Sequence, residues 1–159
     1  MERISRLDDF LPYCLSTTSN AVSARIAQEY RQRFGLSVPE WRIMAVLGDA
    51  GGVTQRDLTE RTLMDKVAVN RACKLLEERE LVQRAPNEKD GRSHLLHLSE
   101  TGSAMHAEIM PVARAIEEQL FAGFSKDDVD LFRDMLGKVR SEVGELDSDS
   151  LTDGSFGIK

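Results

Sequence analysis

The residues of this chain best suited to chemistry are polar and evenly spaced, and the chemistry they suit is recognition rather than catalysis. Lys66, Asn70 and Lys74 recur at every fourth position, with Val67 and Arg71 one step round. On a helix this spacing places all five on one side. In a DNA major groove, Lys and Arg can donate to guanine O6 and N7. Asn can pair with the edge of adenine, and a small apolar side chain can touch a thymine methyl. Ala68, Ala72, Leu75 and Leu76 read as the opposing apolar stripe, and Asp65 is placed to cap the helix N-terminus. An ordinary amphipathic helix with a solvated face would show the same pattern, so the segment that follows has to separate the two readings.

That segment is Pro86-Asn87-Glu88-Lys89-Asp90-Gly91-Arg92, between apolar stretches at 81–85 and 93–98. Asp-Gly between two such runs predicts a β-hairpin. Lys89, Asp90 and Arg92 then crowd its tip. An arginine there can enter a narrow minor groove, where the negative potential is deepest, and Asp90 is placed to orient its guanidinium.

Elements that would position these groups follow from caps and breakers. Residues 5–34 read as one long helix stopped by Gly35, although Ser16-Thr17-Thr18-Ser19-Asn20 competes for backbone hydrogen bonds. A second helix begins after Ser37 with Pro39 in its first turn, and ends at Asp49-Ala50-Gly51-Gly52. A third starts at Thr54, with Asp57 forming a capping box, and a fourth runs from about Asp65 to Arg79. After the hairpin, Ser99 opens a long helix that Pro111 should kink. Ser125 caps a last helix, in which Val129, Phe132, Leu136, Val139, Val143 and Leu146 step by alternating threes and fours. That is an apolar a/d seam. The expected fold class is therefore mainly α with a small β-hairpin wing, a winged helix-turn-helix lobe joined to a lobe of long helices. The polar tail from Asp147 is expected to be flexible.

Composition narrows the function class. The chain carries a net charge of -6, but unevenly: between Arg56 and His97 nine Lys/Arg meet eight Asp/Glu, against 12 and 19 elsewhere. Local basic groups, not the total, set phosphate affinity, so the balance permits a DNA module. No apolar run reaches the ~18–20 residues that span a bilayer, and the first residues lack a signal core, which predicts a cytoplasmic protein with no membrane partner. Cys14 and Cys73 stand apart, outside any C-x-x-C motif. No metal, no cofactor and no catalytic residues are expected: nucleophile elbow, phosphate loop, metal-spaced His/Cys set and paired carboxylates are all missing. The reading is that of a non-enzyme.

Residues 54–84, TQRDLTERTLMDKVAVNRACKLLEERELVQR, followed by NEKDGRSHLLHLSETG at 87–102, resemble the MarR (multiple antibiotic resistance regulator) family. The likeness extends to EWRIMAVL at 40–47 and to the long outer helices, covering roughly residues 5–146. The D-x-R wing with L-x-L-S/T-x-x-G behind it is its most specific part. The resemblance implies an obligate homodimer, usually a repressor released by a small ligand or an oxidant. It also places Lys66, Val67, Asn70, Arg71 and Lys74 on the recognition helix, Arg92 on the wing, and Gln55 and Arg56 against phosphate; Lys89 joins the DNA contacts from its place at the hairpin tip. Glu80 departs from the pattern, because the family commonly has Gly there in a left-handed conformation.

Three long helices around a small winged lobe leave more apolar surface than one chain readily covers. The seam is accordingly read as a dimer interface, with residues 1–36 and 100–146 as the dimerisation region and 37–99 as the DNA-binding domain. Two recognition helices would then lie ~34–36 Å apart on a pseudo-palindromic operator in double-stranded DNA. The resemblance further implies a pocket for an aromatic acid, a phenol or a related thioester near the first two helices. Phe10, Tyr13, Cys14, Thr17 and Thr18 are its candidate wall, and Arg42 its candidate carboxylate clamp. Cys14 reads as an inert thiol, as pocket lining or as a peroxide sensor, and a winged-helix protein-interaction module is the alternative to a DNA reader.

Overall fold

The computed structural model describes residues 6–146. Six helices and one two-stranded sheet follow in the order α1 (Leu11–Phe34), α2 (Val38–Ala50), α3 (Gln55–Thr62), α4 (Lys66–Glu78), β1 (Val82–Pro86), β2 (His94–Leu98), α5 (Glu100–Leu120) and α6 (Lys126–Glu145). The fold is the expected one, mostly helical with an antiparallel hairpin that pairs Val82 with Leu98 and Pro86 with His94. The polar tail predicted from Asp147 lies outside the described residues.

The first helix starts later than the sequence suggests. Leu7–Asp9 forms a separate 3-10 turn, and Pro12 sits in the first turn of α1. A proline there has no N–H to donate, and its ring would crowd the carbonyl four residues back, so a helix cannot run through it from residue 5 without cost. The hydroxyl-rich stretch stays helical because Thr17 turns its hydroxyl onto the Tyr13 and Cys14 carbonyls, at 2.9 and 3.2 Å. Gly35 ends the helix at φ 64°, its N–H on the Arg31 carbonyl at 3.1 Å. Arg79, just past α4, donates to the carbonyls of Phe34 and Gly35 at 2.8 and 3.0 Å. The two helix ends are thereby tied together.

The described residues divide by packing into two units that meet between Arg114 and Ala115. In the first unit, Leu36, Ile43, Met44, Leu58, Val69, Cys73, Leu76 and Leu96 are fully enclosed. These come from α2, α3, α4 and β2, with Leu36 leading into α2. A short bridge that the sequence does not announce joins Val53 to Leu96, with N–H···O distances of 3.2 and 2.8 Å. It seats the wing against the entry to α3.

Two signature positions have a direct steric reason. Ser99 gives its hydroxyl to the Glu80 carbonyl at 2.6 Å and accepts from the Gly102 N–H at 2.9 Å, capping α5 while pinning it to the end of α4. A Cβ on Gly102 would fall 1.9 Å from the Leu81 carbonyl oxygen, so only glycine fits there. Glu80 itself adopts φ 57°, the left-handed conformation the resemblance implied, without a glycine. Glu80→Gly should therefore raise stability by about 1 kcal/mol, read as a higher urea midpoint at unchanged slope. An unchanged or lower midpoint would contradict this.

In the second unit, Ser125 and Asp128 form a reciprocal capping box at the start of α6. Phe121 packs edge-on to Phe124 and tilted to Phe132, with ring centroids 5.7 and 6.1 Å apart. Among the described residues, α6 buries none.

Candidate nucleic-acid interface

Both helices of the helix-turn-helix are locked at their N-termini by short polar side chains. Thr54 and Asp57 bond reciprocally: the Thr54 hydroxyl accepts from the Asp57 N–H at 3.1 Å, and Asp57 Oδ2 accepts from the Thr54 N–H at 2.9 Å. The Thr54 N–H first, and then the Thr54 hydroxyl, which donates to Asp57 Oδ2 at 2.8 Å, hold the Asp57 carboxyl below the usual carboxylate range. This cap accordingly persists above the ordinary aspartate value and is lost only as pH falls through the lowered one. At α4, Asp65 Oδ1 accepts from the N–H groups of Val67 and Ala68 at 2.6 and 3.0 Å. The turn between the helices passes through Leu63 at φ 54°, another left-handed residue, and one without a signal in the sequence.

Lys66, Val67, Asn70, Arg71 and Lys74 are all exposed on α4, Val67 to 69%. The expected apolar stripe needs correction. Val69, Ala72, Cys73 and Leu76 are the buried set, Ala68 is half-buried, and Leu75 is 41% exposed. The buried set follows i, i+3, i+4, i+7, a narrower stripe in which Cys73 serves as a small apolar residue. Burial pushes its thiol up to about 11, so it stays protonated at neutral pH.

The wing is a longer loop than a two-residue turn. Two successive turns close it, from the Asp90 N–H to the Asn87 carbonyl and from the Ser93 N–H to the Asp90 carbonyl, each at 3.2 Å. Asn87 also donates to the Ser93 hydroxyl at 2.9 Å. Asp90 does not act as the sequence suggested: its Oδ1 accepts from the backbone N–H of Arg92 at 3.0 Å, shaping the loop rather than gripping the guanidinium. Lys89 and Arg92 are exposed. Arg92 lines a cleft of about 320 Å³ with Thr54, Gln55, Arg56, Arg84, Asn87 and His94, so the wing and the start of α3 share one polar groove. Arg56 lies exposed along α3, paired with Glu60 at 3.1 Å, a contact weak enough to exchange for phosphate.

Gln55, expected against phosphate, is engaged within the protein. Its Nε2 donates to Asn70 Oδ1 at 3.0 Å, and its Oε1 accepts from Arg84 at 3.2 Å. Arg84 in turn pairs with Glu77, with Nε on Oε1 at 2.6 Å. Arg84 and Glu77 were missed from sequence, where nothing in spacing connects them to residues 55 and 70.

The candidate effector wall is not gathered around Arg42. Its guanidinium donates to Ser23 at 3.0 Å and lies 5.7 Å from the Trp41 ring centroid. Ser23 is six residues, about 9 Å of helix, beyond Thr17. Phe10 and Tyr13 are exposed, Thr18 is exposed, and half-buried Cys14 gives its thiol hydrogen to the Asp8 carbonyl at 2.8 Å.

Residues 34–93 match the sequence model of the MarR family. An uncharacterized HTH-type transcriptional regulator of Bacillus subtilis, YwoH, is 31% identical over 109 residues, 69% of this chain and 79% of that protein. The chain belongs to the MarR family. A MarR/EmrR family transcriptional regulator from Acinetobacter sp. ADP1 superposes with a TM-score of 0.83 at 26% identity, covering 89% of this chain and 99% of that one. BpsR of Bordetella bronchiseptica, whose DNA binding is regulated by 6-hydroxynicotinic acid, shares the fold with a TM-score of 0.76 at 21% identity, over 85% of this chain and 96% of that one. As a MarR-type transcriptional regulator, the protein binds DNA. Among its described residues, no helix is long and apolar enough to cross a membrane.

Proposed function

We propose that this protein is a cytoplasmic homodimeric repressor that holds a pseudo-palindromic operator and is released by a small aromatic acid, phenol or related thioester. The observation that carries the DNA-reading part is the polar face of α4. Five side chains of donor or small apolar type stand exposed there, behind a helix N-terminus capped by Asp65. Residues 37–99 are the DNA-binding domain in this reading, and residues 1–36 and 100–146 form the dimerisation region. The seam of α6 supports the pairing: Val129 is half-buried, and Phe132, Leu136, Val139, Val143 and Leu146 lie exposed, the last two to 64%. Apolar side chains left open at a/d spacing call for a partner helix.

The wing adds an electrostatic arm. Arg92→Ala should weaken duplex binding and reduce the slope of log K against log salt by about one phosphate contact, in anisotropy titrations at several salt concentrations. An unchanged slope and affinity would remove Arg92 from the interface.

For the effector, Arg42 supports a carboxylate clamp beside Ser23 and the Trp41 face rather than beside Thr17 and Thr18. The likeness to a regulator governed by an aromatic acid points to the same ligand chemistry. A thermal-shift screen of the full chain against aromatic acids, phenols and aromatic acyl thioesters tests this. An authentic effector raises the melting temperature and, by linkage, binds less tightly when duplex is present. If no compound of these classes does both, the ligand reading fails. Half-buried Cys14 is engaged with the Asp8 carbonyl rather than with a tyrosine or a cationic side chain, so the peroxide reading gains no support.

A further inference from the structure

Three side chains, Gln55, Arg84 and Glu77, join Asn70 to the body of the domain, and their hydrogen-bonding directions are not interchangeable. Glu77 on α4 accepts twice from Arg84 on β1, Oε1 from Nε at 2.6 Å and Oε2 from Nη2 at 3.1 Å. The same Nη2 reaches Gln55 Oε1 at 3.2 Å, and Gln55 Nε2 reaches Asn70 Oδ1 at 3.0 Å. A guanidinium offers donors and no acceptor. Only the carbonyl end of the Gln55 amide can satisfy it, so the amino end has to face α4. That amino group can in turn be satisfied only by the Asn70 carbonyl. The Asn70 Nδ2 group is therefore left as the free end on the exposed face.

We propose that this relay makes Asn70 present hydrogen-bond donors to DNA, with Arg84 and Gln55 as positioning residues that set which base edge it selects. The proposal rests on the reading that the outer face of α4 enters the major groove. There guanine offers two neighbouring acceptors, N7 and O6, whereas cytosine offers an amino donor. With Oδ1 already accepting from Gln55, Asn70 favours guanine at its position and disfavours cytosine. Paired bonding to adenine, the usual expectation for Asn, would need Oδ1 to accept a second time.

Gln55→Glu tests the direction of the relay. One oxygen of the introduced carboxylate still accepts from Arg84. The other faces Asn70, which can answer only with Nδ2, turning Oδ1 outward. A negative charge in the first turn of α3 is compatible with folding, checked by thermal melting. The full-length wild type, Asn70→Ala, Gln55→Glu and the double variant are each selected against a duplex library of random sequence at fixed salt, and the bound pool is sequenced.

The wild type is expected to show one position per half-site at which guanine exceeds cytosine on the order of tenfold, a preference absent from Asn70→Ala. Gln55→Glu should move that position toward bases with amino donors, adenine or cytosine, and leave the other positions unchanged. In the Asn70→Ala background it should change nothing. Arg84→Met, which frees the Gln55 amide to turn, should flatten the same position below about threefold and serves if Gln55→Glu does not fold. A uniform loss of affinity with guanine still preferred, or a changed preference that survives without Asn70, overturns the relay. If Asn70→Ala removes no base preference, Asn70 does not read bases and the relay fails, whereas a wild-type pool with no base preference at any position would remove the base-reading role of α4 itself.

Discussion

Leu136→Glu is expected to leave the protein monomeric in sedimentation and to lower its affinity for a selected duplex at least about a hundredfold. Leu136 lies at the middle of an a/d seam running from Val129 to Leu146, on a helix that buries none of its described residues. In a paired molecule this seam becomes a core, and a carboxylate placed there without a partner costs several kcal/mol. In the proposed dimer, pairing is what lets two winged domains engage neighbouring half-sites. A monomer keeps one set of contacts and loses the effective concentration that joins the second set to it. The substitution leaves the interior of residues 37–99 untouched, so the melting of that domain should change little. A variant that remains dimeric at micromolar concentration would remove this seam from the interface.

Arg71→Ala should cost about 1–3 kcal/mol on a selected duplex and distinctly less on random DNA. The guanidinium is exposed, and it sits one residue beyond Asn70 on the face opposite the buried stripe of Val69, Ala72, Cys73 and Leu76. A base-reading arginine loses paired bonds that only the right sequence supplies, whereas a phosphate-bound one loses affinity everywhere alike. Competition titrations of both duplexes at one salt concentration separate the cases. Equal losses would assign Arg71 to the backbone.

Much of this fold is written in local chemistry. Gly35, the Thr54/Asp57 and Ser125/Asp128 capping boxes and the Asp65 cap are short-range devices that spacing alone announces, and each stands where the sequence places it. The polar face of α4 is legible for the same reason, since helical periodicity sorts side chains before any tertiary contact forms. Its buried face was read less well: Leu75 outranks Cys73 in hydrophobicity, yet packing against α2 and β1 selects 69, 72, 73 and 76. Pro12 in the first turn sets the start of α1 at Leu11, which the apolar spacing from residue 5 does not reveal.

The wing and the relay were beyond periodicity. Asp90 serves the Arg92 backbone, because an aspartate two residues before an N–H closes a local ring more readily than it reaches a long side chain. The path from Glu77 through Arg84 and Gln55 to Asn70 joins residues from three elements, up to 29 positions apart. Only the placement of β1 beside α3 and α4 brings them together. Arg42 likewise finds Ser23, on the next turns of α1, rather than the hydroxyls singled out from composition.

The central claim is that paired copies of this chain present α4 and the wing to adjoining grooves of one duplex. Methylation protection on a selected duplex tests it most directly, because the reagent marks guanine N7 in the major groove and adenine N3 in the minor groove separately. Two blocks of guanine protection about 10–10.5 base pairs apart centre to centre are expected, with adenine protection beside each block that disappears in Arg92→Ala. A single block, a separation far from one helical turn, or adenine protection unchanged in that variant would contradict the account.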